Sequence, residues 1–475
     1  MKLHGFIGGA YTLQSVNADC QRCVNLYPER NEVGTEKEQW VGSLVAAPGS
    51  RLLATVGNGP IRGAYRATNG SLYVASGDSL YSVSAAWSAT LLGSLGTSEG
   101  RVSMADNGIS LMLVDGSNRA AIVVLATGAL SLASLDFCAS CIAFQDGYFL
   151  LNSIGTGAYY ITAGYDTTID GLDFAVAEGS PDILVSLLVA NRQVWLFGES
   201  TTEVAFDSGN PDFPFERNQN AFIEVGCAAR YSPAVLGNTV IWLGGDSRGS
   251  GTVWRANGFQ PQRISTHAVE YTLSTYSTIA DAISWTYEDQ GHSFYVLSFP
   301  TADKTWVFDT STNLWHERMY FSNGEEKRHR GACHAYFNRT HVIGDWENGN
   351  LYALEPGTYT DNGSPKRWVR SSPHVSNDLK KLFYNLVQLD LEVGAGLDGI
   401  GVGTTPVVEM RYSDDGGHTW TSYKTRSAGA IGHYKSRALW RSLGGSRDRV
   451  FEFSGSDPIK TTLLGAQIDI TKGIY

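Results

Sequence analysis

The chain has 475 residues and a formal net charge of −11, with 53 glycines, 11% aromatic residues and 17% charged residues. Abundant glycine and aromatic residues with little charge favour short strands joined by tight turns and exclude a largely disordered chain. The longest uncharged, mostly apolar run, Ala120 to Leu135, is shorter than the roughly 20 residues that span a bilayer. The N-terminus also lacks a hydrophobic signal core. The composition therefore predicts a soluble protein without a membrane-spanning segment, built as two unequal domains.

Charge is unevenly distributed along the chain. Residues 1–365 carry 21 basic and 36 acidic side chains, a net charge of −15. Residues 366–449 carry 13 basic and 8 acidic side chains, a net charge of +5. An asymmetry of this kind bears on the binding partners of a protein more than on its fold.

Two Cys-x-x-Cys pairs, Cys20 with Cys23 and Cys138 with Cys141, raise the question of a zinc site. More than a hundred residues separate the pairs, against roughly 15–20 in compact zinc modules. No histidine lies beside either pair to complete a ligand set. We therefore predict no metal and no cofactor, with reduced cysteines serving as small buried hydrophobes.

From residue 59 onward a unit of three short strands recurs, and its middle strand is strongly apolar. One residue of each middle strand serves as an anchor: Tyr73, Met112, Leu150, Trp195, Trp242, Tyr295 and Val342. Consecutive anchors are 39, 38, 45, 47, 53 and 47 residues apart. Third strands follow the anchors: Leu80–Val83, Ala121–Val124, Ala158–Ile161, Glu203–Phe206, Thr252–Trp254, Thr305–Phe308 and Leu351–Leu354.

Seven imperfect units at this spacing are typical of a β-propeller, whose blades run about 40–50 residues each. A β-sandwich does not repeat one three-stranded unit seven times. We predict an all-β fold with a propeller of six or seven blades over residues 59–364, and an N-terminal arm, residues 1–58, that closes onto it. Segments 210–215 and 323–330 are expected to project as loops, with His329 in a solvated basic segment.

The repeat stops where glycine, proline and serine accumulate near residues 355–365. Residues 365–475 then alternate apolar and polar side chains, as in Leu386–Val393 and Arg449–Phe453. This pattern predicts a C-terminal antiparallel β-domain of sandwich type.

Inside this domain, residues 413–420 resemble the Asp-box, a hairpin turn found in sialidases, other β-propellers and assorted β-rich proteins. The residues that carry the resemblance are Ser413, Asp415, Gly417, Thr419 and Trp420. Asp415 is expected to accept backbone N–H bonds, Gly416 and Gly417 to supply positive φ angles, and Trp420 to cover the turn. The second strand of the hairpin is expected to restart at Thr419. We interpret the box as structural.

A sialidase-like or carbohydrate-binding propeller is the alternative function. A single Asp-box outside the propeller falls short of the several expected of a sialidase, and Pro60-Ile61-Arg62 reverses the Arg-Ile-Pro signature. No Gly-x-Ser-x-Gly motif stands between a strand and a helix. The sequence therefore predicts no catalytic residues and a protein that is not an enzyme.

A basic run interleaved with aromatic residues marks the C-terminal domain. Its cations are Lys424, Arg426, Lys435, Arg437, Arg441, Arg447 and Arg449. One interpretation is a face that docks on nucleic acid or on an acidic protein, with Arg437, Arg441, Arg447 and Arg449 as candidate contacts. The other is an exposed strand pair whose arginine stems cover apolar surface.

Several motifs, taken in order, resemble the packaged-DNA-stabilisation proteins of short-tailed bacteriophages, also called tail hub or nozzle proteins. They are Cys23–Glu29, Gly100–Ala105, Val194–Val204, Arg411–Trp420, Trp440–Gly444 and Ser446–Glu452. Each motif alone is weak, but the ordered set spans nearly the whole chain.

The resemblance implies a structural virion protein, assembled in the host cytoplasm and placed in the tail. It implies a homohexameric ring below the portal and head-to-tail adaptor that extends the DNA channel and retains the packaged genome until ejection. Needle, fibre or tailspike proteins are the other implied partners, and double-stranded DNA passes through without sequence-specific binding. An acidic surface suits such a channel, because a basic wall binds phosphate. We therefore predict a lumen lined mainly by acidic residues of the propeller.

Overall fold

The computed structural model describes residues 1–31, 41–177, 179–246, 249–322, 324–377 and 380–473. Apart from one short helix, the regular elements of these residues are β-strands. No helix among them is long and apolar enough to cross a membrane.

The N-terminal segment contributes six strands that are divided between two domains. They are β1 (Tyr11–Thr12), β2 (Cys20–Gln21), β3 (Cys23–Val24), β4 (Leu26–Arg30), β5 (Val41–Ala46) and β6 (Gly49–Thr55).

The next thirty strands and the helix build the propeller. The first four sheets contain β7 (Ile61–Arg66), β8 (Leu72–Ser76), β9 (Ser79–Val83), β10 (Ala89–Ser94), β11 (Ser103–Asp106), β12 (Ser110–Val114), β13 (Arg119–Val124), β14 (Leu130–Ser134), β15 (Ile142–Gln145), β16 (Tyr148–Asn152), β17 (Ala158–Thr162), β18 (Ile169–Val176), β19 (Leu184–Ala190), β20 (Gln193–Gly198), β21 (Thr202–Asp207) and β22 (Phe215–Ile223). The remaining elements are β23 (Gly226–Cys227), β24 (Ala234–Leu236), β25 (Thr239–Asp246), β26 (Gly249–Asn257), β27 (Gln260–Arg263), α1 (His267–Ser274), β28 (Ile283–Asp289), β29 (His292–Phe299), β30 (Lys304–Asp309), β31 (Leu314–Glu317), β32 (Met319–Ser322), β33 (Glu325–Arg328), β34 (Gly331–Phe337), β35 (Thr340–Asp345) and β36 (Asn350–Glu355).

These strands form seven antiparallel blades within the described residues. Blades one to four are β7–β10, β11–β14, β15–β18 and β19–β22, each paired in sequence order. Blade five is β23-β25-β26-β27 with β24 beside β25, blade six is β28–β31, and blade seven begins with β34–β36. Every sequence anchor lies in the second strand of a blade, and every predicted partner lies in the third. The predicted propeller is confirmed, with seven blades.

An apolar cluster lies between each blade and the next, so the blades form a closed ring. The cluster between blades four and five, for example, contains Trp195, Phe197 and Trp242. The last cluster joins blade seven to blade one, because Ile61 packs with Cys333 and Val342. Second strands bury both of their faces in this arrangement, which explains why they are apolar throughout.

Strand β6 closes the ring. It pairs antiparallel with β36, with Arg51 opposite Ala353, and so supplies the outer strand of blade seven from the segment that precedes blade one. This pairing covers the edge of β36 and fastens the two ends of the propeller chain to each other.

The C-terminal residues add eleven strands. They are β37 (Thr360–Asp361), β38 (Ser364–Pro365), β39 (Trp368–Ser371), β40 (Val375–Ser376), β41 (Leu382–Leu391), β42 (Val407–Ser413), β43 (Lys424–Ser427), β44 (Ala438–Arg441), β45 (Gly445–Ser446), β46 (Asp448–Gly455) and β47 (Thr462–Lys472).

The C-terminal sandwich is completed by the N-terminal segment. One sheet has the order β3-β39-β46-β42-β43, and the other has the order β4-β5-β47-β41-β44. Strand β3 also pairs in parallel with β31, so the blade-six sheet continues into the sandwich as one ten-stranded sheet. The segment predicted as an N-terminal arm that closes onto the propeller also contributes three strands to the sandwich and fastens the two domains to each other.

The basic segment near residue 328 differs from the solvated loop that the sequence suggested. Strands β32 and β33 form a hairpin there, and His329 is buried, with a pKa that burial lowers to about 3. Arg328 stacks 4.0 Å from the ring centroid of Trp346, and Arg330 pairs with the buried Asp345 at 3.0 Å. Aromatic and acidic side chains farther along the chain therefore bind these two cations. The charged residues around position 328 do not by themselves indicate these contacts.

Candidate docking surface and Asp-box turn

Strand β42 leads into the Asp-box turn, whose side chains are hydrogen-bonded mainly to one another. The Asp415 carboxylate accepts the Thr419 N–H at 2.8 Å and the Thr419 hydroxyl at 2.5 Å. The Ser413 hydroxyl donates to Asp415 at 2.6 Å and accepts the Gly417 N–H at 2.8 Å. Trp420 donates from Nε1 to the Gly417 carbonyl at 3.0 Å, which holds the indole against the turn.

Hydrogen bonds from the Ser413 and Thr419 hydroxyls and from the Thr419 N–H hold the pKa of Asp415 well below its usual range. Gly416 and Gly417 have φ angles of 74° and 100°, which side chains with a Cβ rarely adopt. The return strand β43 begins at Lys424, later than the sequence suggested, because the turn extends through Trp420.

The turn packs against the N-terminal segment. A Cβ at Gly417 would stand 3.1 Å from the Cys20 sulphur, and one at Gly416 would overlap the side chain of Asn17. Nearby, His374 contacts the Val16 carbonyl at 2.9 Å and Asp448 at 2.7 Å. These contacts place the N-terminal segment of the chain against the turn.

Arg449 was among the candidate docking residues, and for this residue the prediction is wrong. The side chain is buried, and its guanidinium lies 3.9 Å from the ring centroid of Tyr412 and 4.3 Å from that of Tyr384. It also donates to Asp414 and to the Leu443 carbonyl. Successive side chains of a strand point to opposite faces, and Arg449 points into the sandwich. A binding partner at the surface therefore does not contact it.

The other three candidates, Arg437, Arg441 and Arg447, are exposed. None of them forms an ion pair within the part of the chain that the structure describes. Trp440, between the first two, is fully buried and donates from Nε1 to the Lys424 carbonyl at 2.7 Å. The basic run therefore divides into an outward set, which is available to a partner, and inward residues that hold the sandwich together.

Histidines and cysteines are the other side chains that could form a catalytic or metal centre. The His292 imidazole contacts Asp309 and Ser311 through the same nitrogen, Nδ1, at 2.8 Å each, and Glu29 through Nε2 at 3.0 Å. The Ser311 hydroxyl also donates to Asp309 at 2.7 Å, so these side chains are hydrogen-bonded to one another and stabilise the blade. The six cysteines are free, and the described residues contain no group of ligands that would hold a metal ion.

Comparison with known families decides the identity of both domains. Residues 7–359 match the family model for the β-propeller of bacteriophage P22 Gp10, and residues 367–471 match that for the β-sandwich of the same protein. The chain belongs to the P22 Gp10 family. As a Gp10 family member it is a structural protein of the phage tail, and the resemblance to the packaged-DNA-stabilisation proteins is confirmed.

Solved structures similar to this Gp10 family member share little sequence with it. A chain of the mitotic checkpoint complex is 14% identical over 60% of this chain and 86% of that chain, with a TM-score of 0.40. The computationally designed Ika8 protein is 12% identical over 64% of this chain and 99% of that chain, with a TM-score of 0.38. No curated protein sequence matches significantly.

The structure also reveals a cavity that the sequence did not indicate. It occupies about 1170 Å³ and is lined by inner strands of several blades together with the segment that follows α1. Arg101 and Arg230 face it together with Glu199 and Asp281. Its charges are therefore mixed, in contrast to the net negative charge of the propeller sequence. Only the ring arrangement of the blades brings these residues together, since they lie far apart in the chain.

Proposed function

We propose that this protein is a tail hub, or nozzle, which assembles as a homohexameric ring below the portal and adaptor and extends the DNA channel. In this role the ring retains the packaged genome until ejection and carries needle, fibre or tailspike proteins. The protein acts without catalysis. The observation that carries the proposal is the match of both domains, in order, to the two domains of one phage tail protein.

The fold suits a load-bearing ring subunit. One ten-stranded sheet runs from blade six through β3 into the sandwich and joins the two domains by strand pairing. Arg370, fully buried, strengthens the same junction because it donates to the carbonyls of Gly5, Phe6 and Gly9. Hydrogen bonds from a buried cation are among the stronger ones in proteins.

The channel wall is proposed to be acidic. The net charge of −15 over residues 1–365 favours a surface past which DNA slides, since each phosphate bound by Lys or Arg must be released again. A reconstruction of the assembled tail that shows a lumen lined mainly by Lys and Arg would contradict this part of the proposal.

The exposed arginines of the sandwich, Arg437, Arg441 and Arg447, are proposed to dock on an acidic neighbour in the tail. Electron microscopy of particles with Arg441→Glu and Arg447→Glu tests this contact. Rim charges steer association and set the orientation of an interface, so tails of the double variant should be lost or incomplete. If the double variant formed intact tails in normal number, these residues would not belong to the interface.

The experiment that tests the whole proposal is imaging of particles assembled with and without this protein. We expect a six-fold ring below the adaptor, present only when the protein is supplied, and loss of DNA from heads that lack it. DNA-filled, stable heads without the protein would refute the role in genome retention.

A further inference from the structure

A protruding apolar tip on the sandwich has no partner within the chain. The loop between β41 and β42 presents Leu397, Ile400 and Val402, and the neighbouring loop presents Ile431 and Tyr434. Ile400 is fully exposed, and Val402 and Tyr434 are 70% and 74% exposed. Isolated apolar residues are common on surfaces, but a contiguous group of five usually marks an interaction site.

The tip has a defined shape. The Leu397 N–H donates to the Gly403 carbonyl at 2.8 Å, and the Gly432 N–H donates to the Gly394 carbonyl at 3.2 Å. These bonds close the first loop and fasten it to the second. The tip therefore presents its side chains from a pre-formed surface, which lowers the entropy lost on binding.

Cations border this tip. Lys435 follows Tyr434 directly in the chain and Arg437 lies three residues after it; both are exposed, whereas Asp398 is the acidic side chain of the first loop. Neither cation forms an ion pair within the part of the chain described by the structure. The tip therefore fits a partner that is apolar and acidic.

Blade three of the propeller has that character. Between Arg119 and Arg192 the sequence contains seven Asp or Glu residues and no Lys, Arg or His. Its edge strand β18 exposes Leu172, Phe174 and Val176, and Leu172 is 83% exposed. Phe174 lies 5.4 Å from the ring of Tyr160, which supports the apolar row from beneath.

Acidic side chains border this edge as well. Asp136, Asp166 and Asp170 are exposed, and Asp173 is half-buried on β18. None of the four forms an ion pair within the described residues. The edge of β18 therefore combines exposed apolar groups with unpaired negative charge and complements the basic tip.

We propose that the sandwich tip of one copy docks on the blade-three edge of the next copy. Because the two patches differ, each copy offers one donor face and one acceptor face, and such head-to-tail contacts close into a ring when the rotation permits. Apolar contact supplies the affinity, and the opposite charges fix the pairing and speed the encounter. The proposal rests on the ring assembly under the proposed function and names the two faces that build it.

Charge-swap variants of the full-length protein test the contact by sedimentation velocity in 50 mM and 500 mM salt. Lys435→Glu with Arg437→Glu reverses the tip, and Asp170→Lys with Asp173→Lys reverses the edge. Each reversal alone should weaken self-association at least about 100-fold, because like charges then face each other. The chain that carries all four substitutions should associate again, since both faces have exchanged sign.

Matched controls reverse exposed charges elsewhere, with Lys472→Glu for the tip and Asp212→Lys for the edge. Both should associate as the unmodified chain does. Leu172→Ser should weaken association at both salt concentrations, because its contribution is apolar and salt screens only the charges.

Several results would overturn the proposal. One is self-association that survives both single-face reversals, and another is an unmodified chain that stays monomeric at 50 mM salt and about 100 μM, where even weak specific contacts are populated. A third is binding to phosphatidylglycerol vesicles that Ile400→Ser abolishes while self-association is unchanged, which would assign the tip to a lipid surface. If the chain associates as expected but fails to join DNA-filled heads, the proposed function is wrong and the contact stands.

Discussion

The guanidinium of Arg449 donates to both carboxylate oxygens of Asp414, from Nε at 2.5 Å and from Nη2 at 2.7 Å. Asp414 lies in the Asp-box turn, and Arg449 lies on β46, the strand that pairs with β42. The Arg449 guanidinium itself lies against the rings of Tyr384 and Tyr412. It thus fastens the turn to the interior of the sandwich. This ion pair links the exposed Asp-box turn to a buried side chain of its domain.

Arg449→Ala should destabilise the sandwich by about 2–3 kcal/mol, because it removes a buried, stacked and hydrogen-bonded side chain. Hydrogen exchange of the β41 and β46 amides measures the free energy of local opening directly. Arg447→Ala is the matched control, since Arg447 is exposed and should change the opening free energy by less than about 0.5 kcal/mol. Equal effects of the two substitutions would contradict the structural role of Arg449.

Asp415→Ala should lower the thermal stability of the sandwich, because the Thr419 N–H and hydroxyl lose their acceptor. The folded state lowers the pKa of Asp415, so its contribution is present above the unfolded value near 3.9 and is lost as pH falls through the folded value. Thermal unfolding at pH 7 and at low pH measures both effects. Asp398→Ala, in the exposed loop, serves as the control, and an unchanged unfolding temperature for Asp415→Ala would refute the prediction.

Two buried histidines should make the propeller sensitive to acid. Burial lowers the pKa of His329 to about 3 and lowers that of His316 well below its usual value, so both are neutral in the folded protein. Unfolded histidine titrates near 6.5, and the unfolded chain therefore binds more protons below that pH. Stability should be complete above pH 6.5 and decrease as pH falls toward 3, by up to about 1.4 kcal/mol per pH unit for each histidine.

Urea unfolding of the unmodified chain and of His329→Gln between pH 4 and 7 measures this slope. Glutamine keeps an acceptor for the Gly331 N–H, which His329 Nδ1 accepts at 3.1 Å, but does not titrate. The variant should therefore lose part of the dependence on pH. His292 behaves in the opposite sense: burial opposes its charge, but Asp309 and Glu29 raise its pKa, so its contribution is lost as pH rises. A slope that is the same in the variant would show that His329 is protonated in the folded protein.

Arg370→Ala should release the N-terminal segment from the sandwich. The guanidinium donates to four backbone carbonyls and to Gln21, and the small side chain leaves these acceptors buried without a donor. Amides of residues 5–22 should then exchange at least about 30-fold faster, which corresponds to about 2 kcal/mol of opening free energy. Lys381→Ala, an exposed cation on the same domain, should leave their exchange unchanged.

Much of the fold is visible in the sequence because each blade repeats the same local pattern. The anchors from Tyr73 to Val342 identify the second strand of all seven blades, since a strand buried on both faces must be apolar throughout. The sandwich is visible for a similar reason, in the alternation of Leu386–Val393. Patterns confined to one strand and its immediate neighbours carry this information.

The positions of charged residues in the sequence did not show which of their side chains are exposed. Arg437 and Arg449 are both cations on short strands or their ends, yet the first is exposed and the second is buried against two tyrosine rings. His329 likewise appeared solvated among Lys327 and Arg330 and is buried. The decisive neighbours, such as Asp345 and Trp346, come from other strands, and a single sequence does not say which strands meet.

The sequence by itself determined the repeating strand pattern, the two β-domains and, through its ordered motifs, the family. Only the tertiary structure decided that residues 1–31 and 41–55 complete both domains, because strand pairing joins segments such as β6 and β36 that lie about 300 residues apart. It also decided which arginines remain free for a partner. Local propensity sets the period of a strand, whereas long-range pairing and burial decide where each side chain points.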